Sequence, residues 1–177
     1  MVAIQGFNGI LQEKKELTPS VLFLSFKIPE EFRFKAGQYV MLVIKQGAEK
    51  KLKPYSILNP PSKKGVIELC AKIIDEGFAS EAFKLMKLGQ EVEMRGPFGQ
   101  FVFDETSHDT EQWFIGAGTG ITPLYSMVKE YVPLFPHCRF RLMVGFRSRE
   151  DILFHEELKQ LALAYTNFTY VPTLSRE

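Results

Sequence analysis

The chain reads as two domains: an antiparallel β-barrel over residues 1–106, then a partial α/β domain over residues 110–177 whose parallel sheet follows the order βαβαβ. Three observations lead there. From residue 4 to about residue 103, short runs rich in Val, Ile, Leu and Phe are punctuated by glycine and proline, the pattern of strands joined by tight turns. Past the polar bridge from Glu105 to Glu111 the apolar period lengthens to that of a helix and shortens again, twice. At the head of that second region stands Trp113-Phe114-Ile115-Gly116-Ala117-Gly118-Thr119-Gly120-Ile121-Thr122-Pro123, an apolar strand running into a glycine-rich turn and a helix start.

In the first region, residues 21–26 and 39–44 read as strands, with turns at Ala36-Gly37-Gln38 and Asn59-Pro60-Pro61. Closing such short strands into a barrel removes the edges they would otherwise expose. Residues 79–88 break the pattern, with apolar side chains at Ala82, Phe83, Leu85 and Met86, Ser80 placed to cap and Gly89 to stop; one short helix is expected there. In the second region, a strand at 112–115 precedes a helix with Leu124, Met127, Val128 and Tyr131 on one face. A strand at 139–144, a helix carrying Phe154, Leu158, Leu161 and Tyr165, and a strand at 168–174 complete it. Such alternation calls for right-handed crossovers and a parallel sheet.

Composition excludes several classes of function. Apolar residues at 45% and charged residues at 24% are ordinary for a globular protein. A formal net charge of +1 argues against a nucleic-acid partner, and Lys50-Lys51 and Lys63-Lys64 read as solvated loops. No charged start followed by an apolar run is present, and no stretch is long enough for a membrane span; no membrane role and a cytoplasmic location are expected. Cys70 and Cys138 lie in strand-like runs without partner spacing and are expected as buried free thiols. His108, His137 and His155 are scattered, so no metal site is expected.

Glycines at 116, 118 and 120 let backbone N–H groups approach an anion, and the helix start behind them carries partial positive charge. Thr122 is expected as the N-cap and Pro123 as the first helical residue. The spacing is not that of the common dinucleotide fingerprint, because position 121 is Ile and the third glycine comes two residues after the second. A strand-to-helix connection that holds no ligand shows the same pattern. A second constellation, Lys53-Pro54-Tyr55-Ser56-Ile57-Leu58-Asn59-Pro60, lies in the barrel region. Two separated sites suggest two bound pieces of one reaction.

Taken in order, Lys53-Pro54-Tyr55-Ser56, Gly77-Phe78-Ala79-Ser80, Gly96-Pro97-Phe98-Gly99-Gln100-Phe101, the glycine turn and Leu174-Ser175-Arg176-Glu177 resemble the ferredoxin-NADP+ reductase family over nearly the whole chain. The resemblance implies that the barrel binds FAD, that the α/β domain binds NADP(H), and that hydride passes between nicotinamide C4 and flavin N5. It also implies roles for particular residues. Tyr55 would pack on the isoalloxazine and Ser56 would hydrogen-bond near N5, making these two the catalytic pair. Lys53 and Pro54 belong to the same flavin motif, and Gly77, Phe78, Ala79 and Ser80 would cradle the FAD pyrophosphate. Gly116, Gly118, Thr119, Gly120 and Thr122 would form the nucleotide turn. Lys53 stands where the family usually has arginine. Lysine keeps the charge and loses the planar fork, so FAD is held less tightly or FMN is tolerated. Lys51, two residues away on one strand face, can supply a second charge.

NADPH is expected over NADH, because Arg147 follows the second parallel strand and Ser175-Arg176 the third, at the carboxyl ends where such folds bind ligands. Solvated arginines are the alternative. Glu150 and Asp151 are expected to serve the following helix, with Ser148 and Asp151 in capping-box spacing. The family continues with two further strands, a cysteine-containing loop and a C-terminal segment. The chain is therefore expected to be truncated, with residues 113–115 an exposed, self-associating edge. The implied function is an FAD-dependent oxidoreductase that accepts hydride from NADPH and passes electrons to a protein carrier such as ferredoxin or flavodoxin. Two other readings stay open: a non-catalytic flavin-binding electron-transfer or regulatory module with a vestigial nucleotide half, and an interaction protein without a cofactor. Clustered cysteines for an iron-sulfur centre are absent from the sequence.

Overall fold

A computed structural model describes residues 4–106 and 110–176; His108 and Glu177 lie outside the described residues. The first unit contains β1 (Gln5–Thr18), β2 (Val21–Lys27), β3 (Tyr39–Gln46), β4 (Glu49–Ser56), β5 (Val66–Lys72) and β6 (Glu91–Phe98), with α1 (Phe78–Leu85) between the last two. They form one antiparallel sheet in the order β4-β3-β6-β1-β2-β5. Ile57, just beyond β4, bridges to Leu69 on β5 and brings the two end strands together, as barrel closure requires. Alternate residues such as Leu24, Phe26, Val40, Leu42 and Leu69 point inward and are buried, which is the period-two pattern of a strand with one core face.

The helix α1 differs from its expected bounds. It starts at Phe78 with Gly77 at the cap position and ends at Leu85, where Met86 turns extended. Ser80 does not cap, because its buried hydroxyl accepts the Ile74 N–H at 2.9 Å inside the preceding loop. Gly89 does not end the helix either; at φ 82° it turns the chain toward β6, after Met86 has been buried in the barrel core.

The second unit is β7 (Glu111–Ala117), α2 (Ile121–Leu134), β8 (Arg139–Phe146), α3 (His155–Ala164) and β9 (Phe168–Leu174). Its sheet is parallel in the order β7-β8-β9, so the expected βαβαβ alternation is present. A single 3₁₀ turn, Gly118–Gly120, leads into α2. Gly120 occupies the cap position, not Thr122, whose buried hydroxyl instead donates to the Thr119 carbonyl at 2.7 Å. Pro123 is thus the third helical residue, still within the first turn, where a missing N–H breaks no helical bond.

Both crossovers step the same way across the sheet, so both helices cover one face. Phe140, Leu142 and Val144 on β8 are buried in one cluster with Leu124, Met127 and Val128 of α2 and with Leu158 of α3. On the opposite face, Trp113 and Ile115 are 55% and 68% exposed, in register with Arg141 and Met143. Among the described residues nothing covers that row. β7 is also an end strand, in keeping with the exposed edge expected from the sequence.

The two units share a core. Val21, Phe23, Leu58 and Cys70 of the first pack in one cluster with Leu124 and Val128 of α2. Buried Asn59 organises the join. Its amide donates to the carbonyls of Pro60, Lys63 and Val66, its Oδ1 accepts the Glu68 N–H at 2.8 Å, and its own carbonyl accepts the Ser126 hydroxyl at 2.8 Å. Cys70 and Cys138 are both buried, and neither forms a disulfide among the described residues. Burial pushes the Cys70 thiol up to about 12, against the opposing hydrogen bond of Thr122, so it stays neutral and unreactive.

Candidate functional site

On β4 the register pairs Tyr55 with Val40, Lys53 with Leu42 and Lys51 with Ile44. Directly paired residues of antiparallel strands share a face, so all three side chains point to the inner side of the sheet, toward α1. There the Lys51 ammonium lies 4.4 Å from the ring centre of Phe78, the first residue of α1. The Tyr55 ring meets buried Phe83 edge-on, with centroids 5.3 Å apart. Burial pushes the Tyr55 hydroxyl up to about 12, so it is neutral at any physiological pH.

The amino end of α1 closes this site. No side chain caps its first turn, which leaves its leading amides for an anion. Three contacts hold it: the Gln46 amide donates to the Phe78 carbonyl at 2.9 Å, the Gly77 N–H donates to the Ile74 carbonyl at 3.0 Å, and the Ile74 N–H donates to the Ser80 hydroxyl at 2.9 Å. Glycine is required at 77 by close approach, since a Cβ would lie 2.9 Å from both the Ile74 carbonyl oxygen and the Ser80 Oγ. Two cations, an aromatic face and unsatisfied helix amides are a donor set suited to a flavin with a pyrophosphate.

The motif does not converge as a block. Pro54 and Ser56 face the other side of β4, paired with Met41 and Tyr39. Ser56 is half-buried at the strand end. Tyr39 also pairs with Phe98, their rings stacked at 5.6 Å, so the Gly96 to Phe101 segment reaches the Ser56 region through Tyr39. Lys51, Lys53 and Tyr55 therefore share the α1 side, and Ser56 stands at its margin.

At the carboxyl ends of β7, β8 and β9 lies a cavity of about 540 Å³ between the two units. Gly118, Thr119, Gly145, Arg147 and Ser175 line one side, and Ser20 and Lys72 of the barrel line the other. Gly118 sits at φ 50° with open space beside its Cα, so its backbone is bare toward the cavity. The Arg176 N–H donates to the Arg147 carbonyl at 3.0 Å, which sets the two arginines side by side, although Arg176 does not line the cavity. Asp151 lines it with its carboxylate already accepting from the Ser148 N–H and hydroxyl at 3.1 and 2.9 Å; the expected capping box is formed, but it closes a 3₁₀ turn at Arg149–Asp151 and not the following helix, because α3 begins at His155 with Glu156 and Glu157 in its first turn.

The other members of the glycine turn lie outside the cavity lining. A Cβ on Gly116 would come within 2.9 Å of Leu124 Cδ1, so that glycine lets α2 pack close to β7. Gly120 and Thr122 start the helix. Sequence reasoning missed Lys72 and Ser20, which carry no local pattern and meet the nucleotide turn only through the packing of one unit on the other. A bare glycine backbone with the cations of Arg147 and Lys72 around it fits a phosphate-bearing nucleotide.

A barrel with this cation and aromatic row, joined to a parallel α/β unit with its cavity at the strand ends, has the layout of the two-domain flavin- and nicotinamide-nucleotide-binding oxidoreductases. Residues 8–103 match the oxidoreductase FAD-binding domain and residues 114–177 the oxidoreductase NAD-binding domain; the chain belongs to this ferredoxin reductase family. It is similar to the reductase component of phenol 2-monooxygenase from Pseudomonas sp. strain CF600, 31% identical over 174 residues that cover 98% of this chain and 48% of that protein. It is likewise similar to ferredoxin–NADP reductase B of Sorangium cellulosum, 31% identical over 178 residues, 99% of this chain and 72% of that protein. Among solved structures, the Amycolatopsis cytochrome P450 reductase GcoB superposes with a TM-score of 0.92 at 25% identity, over 100% of this chain and 54% of that one. A ferredoxin NADP+ reductase from Neisseria gonorrhoeae, solved with FAD and NADP, shares the fold with a TM-score of 0.86 at 21% identity, over 100% of this chain and 70% of that one. The chain thus spans about half the length of several proteins it matches. No helix among the described residues is long and apolar enough to cross a membrane.

Proposed function

We propose that this chain is the FAD- and NADP(H)-binding part of a reductase that takes hydride from NADPH and delivers electrons to a protein carrier such as ferredoxin or flavodoxin. Residues 1–106 hold the flavin and residues 110–177 the nucleotide. The observation that carries this reading is the row Lys51, Lys53 and Tyr55 meeting the uncapped amino end of α1. When bound, FAD would supply the redox chemistry, a two-electron uptake coupled to one-electron release. The chain binds and orients. Lys53 and Lys51 offset pyrophosphate charge beside the amides of Phe78, Ala79 and Ser80, Tyr55 offers its face to the ring, and Ser56 offers a hydroxyl at the margin. Gly118 and Thr119 receive the nucleotide phosphates, and Gly116, Gly120 and Thr122 hold the turn in shape. Arg147, Ser175 and Arg176 select the 2′-phosphate.

A protein acceptor is supported by relatives that are themselves reductase components of oxygenase and P450 systems by name. The cations of the cavity favour a working nucleotide half over a vestigial one. The purified protein, incubated with excess FAD and then desalted, is expected to release FAD on acid treatment, identified by chromatography. Recovery of no flavin would overturn the reading.

Ser56→Ala is expected to retain FAD and to slow flavin reduction by NADPH roughly threefold to tenfold, the range of one lost neutral hydrogen bond. Stopped-flow reduction of the flavin-replete variant measures this. An unchanged rate constant removes Ser56 from the catalytic pair.

A further inference from the structure

At eight residues, α1 is too short to be stable by itself, yet the flavin site depends on the orientation of its leading amides. Its carboxyl end is closed in an unusual way. Met86 leaves in an extended conformation, without the left-handed residue that commonly returns amides to the last carbonyls. The closing group comes from β1. The half-buried Lys14 ammonium donates to the carbonyls of Phe83 at 3.3 Å, Lys84 at 3.0 Å and Met86 at 2.7 Å. An ammonium has three hydrogens, and here each has a carbonyl. A cation at this end also opposes the negative pole of the helix.

In the sheet order β1 stands between β6 and β2; its pairing with β6 ends at Ile10, and Lys14, further along, is paired to Leu24 of β2. The helix is therefore fixed at one end to a hydrogen-bonded strand of the barrel. Its other end presents free amides beside Lys51.

We propose that Lys14 is a positioning residue for the FAD pyrophosphate: by clamping the carboxyl end of α1 to β1 it holds the leading amides of the helix in place for the anion, without touching it. The inference rests on the reading of α1 as the flavin cradle. It separates two roles for lysines of this barrel. Lys51 and Lys53 act as charges toward the ligand, and Lys14 acts through the helix.

The test compares Lys14→Met, which keeps the chain length and loses the ammonium, with the wild type, with Lys14→Arg, which retains donors, and with Lys15→Met as control. Lys15 pairs with Glu13 at 3.3 Å and lies over the ring of Phe23, its cross-strand partner, on the opposite face of β1 from Lys14. Two readouts are taken: flavin affinity by fluorescence titration with FAD and with riboflavin, and amide hydrogen exchange of the FAD-free protein. K14M is expected to weaken FAD roughly tenfold, in the range of lost charged hydrogen bonds, to leave riboflavin affinity unchanged, and to raise exchange over residues 78–86 only. K14R should lie between K14M and wild type, and K15M should match wild type. Equal loss of FAD and riboflavin, or exchange raised throughout the barrel, would make Lys14 a general stabiliser and overturn the inference. So would FAD affinity equal to wild type in K14M. Wild-type protein that takes up no FAD would instead overturn the flavin reading itself, and the inference with it.

Discussion

Phe83→Ala is expected to destabilise the FAD-free protein by about 3–5 kcal/mol, the cost of a large cavity in a core that cannot close around it. Phe83 is fully buried and belongs to the barrel cluster, although it is carried by α1 and not by a strand. It is the fully buried side chain by which α1, the helix of the candidate flavin site, enters the barrel core. It also supports Tyr55, whose ring it meets edge-on at 5.3 Å, so the substitution removes both the floor of the barrel and the backing of the candidate flavin face. Denaturant midpoints of wild type, Phe83→Leu and Phe83→Ala measure it, with the leucine variant expected close to wild type and the alanine variant far below. A loss under about 1 kcal/mol for alanine would mean that the site relaxes or takes in water, contrary to a packed core.

Much of the architecture is legible in the sequence because it rests on local patterns. Glycine and proline mark the ends of alternating runs, and the longer apolar period after Glu105 marks the helices; residues 168–174 read as a strand and are β9. The errors fall where a hydroxyl is claimed by a backbone group of the preceding loop or turn. Ser80 and Thr122 both have the chemistry of caps, and both hydroxyls are taken up elsewhere, by the Ile74 N–H and the Thr119 carbonyl. A hydroxyl bonded to the carbonyl three residues back competes locally with capping at Thr122, and at Ser80 the fold of the preceding loop decides. The same limit applies to the candidate site. The alternation of a strand implies that Lys51 and Lys53 share a face, and the register agrees. It does not imply that Lys72 faces the nucleotide turn, because that depends on how Asn59, Ser126 and the shared core set one unit against the other. Motif residues also divide by duty once packing is known: Gly116 admits Leu124, whereas Gly118 faces open space.

Arg147→Ala is expected to weaken NADPH about tenfold to a hundredfold and to leave NADH nearly unmoved, since a charge-assisted contact to phosphate contributes about 1.5–3 kcal/mol. Arg147 lines the cavity at the end of β8, next to Ser175 at the end of β9, so a nucleotide whose phosphates lie against Gly118 has its adenosine ribose within reach of both. Its side chain is exposed, and solvent screening places the effect nearer the lower figure at physiological salt. Arg176→Ala should act in the same sense and more weakly, because Arg176 is joined to Arg147 through the backbone and does not itself line the cavity. Lys72→Met supplies the contrast. Lying across the cavity on the barrel side, it is expected to meet phosphates common to both nucleotides and to weaken NADPH and NADH alike. Dissociation constants for the two nucleotides, measured by titration at two ionic strengths in all three variants, separate these patterns. Equal losses of NADPH and NADH in Arg147→Ala would show that this arginine reads the shared pyrophosphate and that nucleotide preference is set elsewhere.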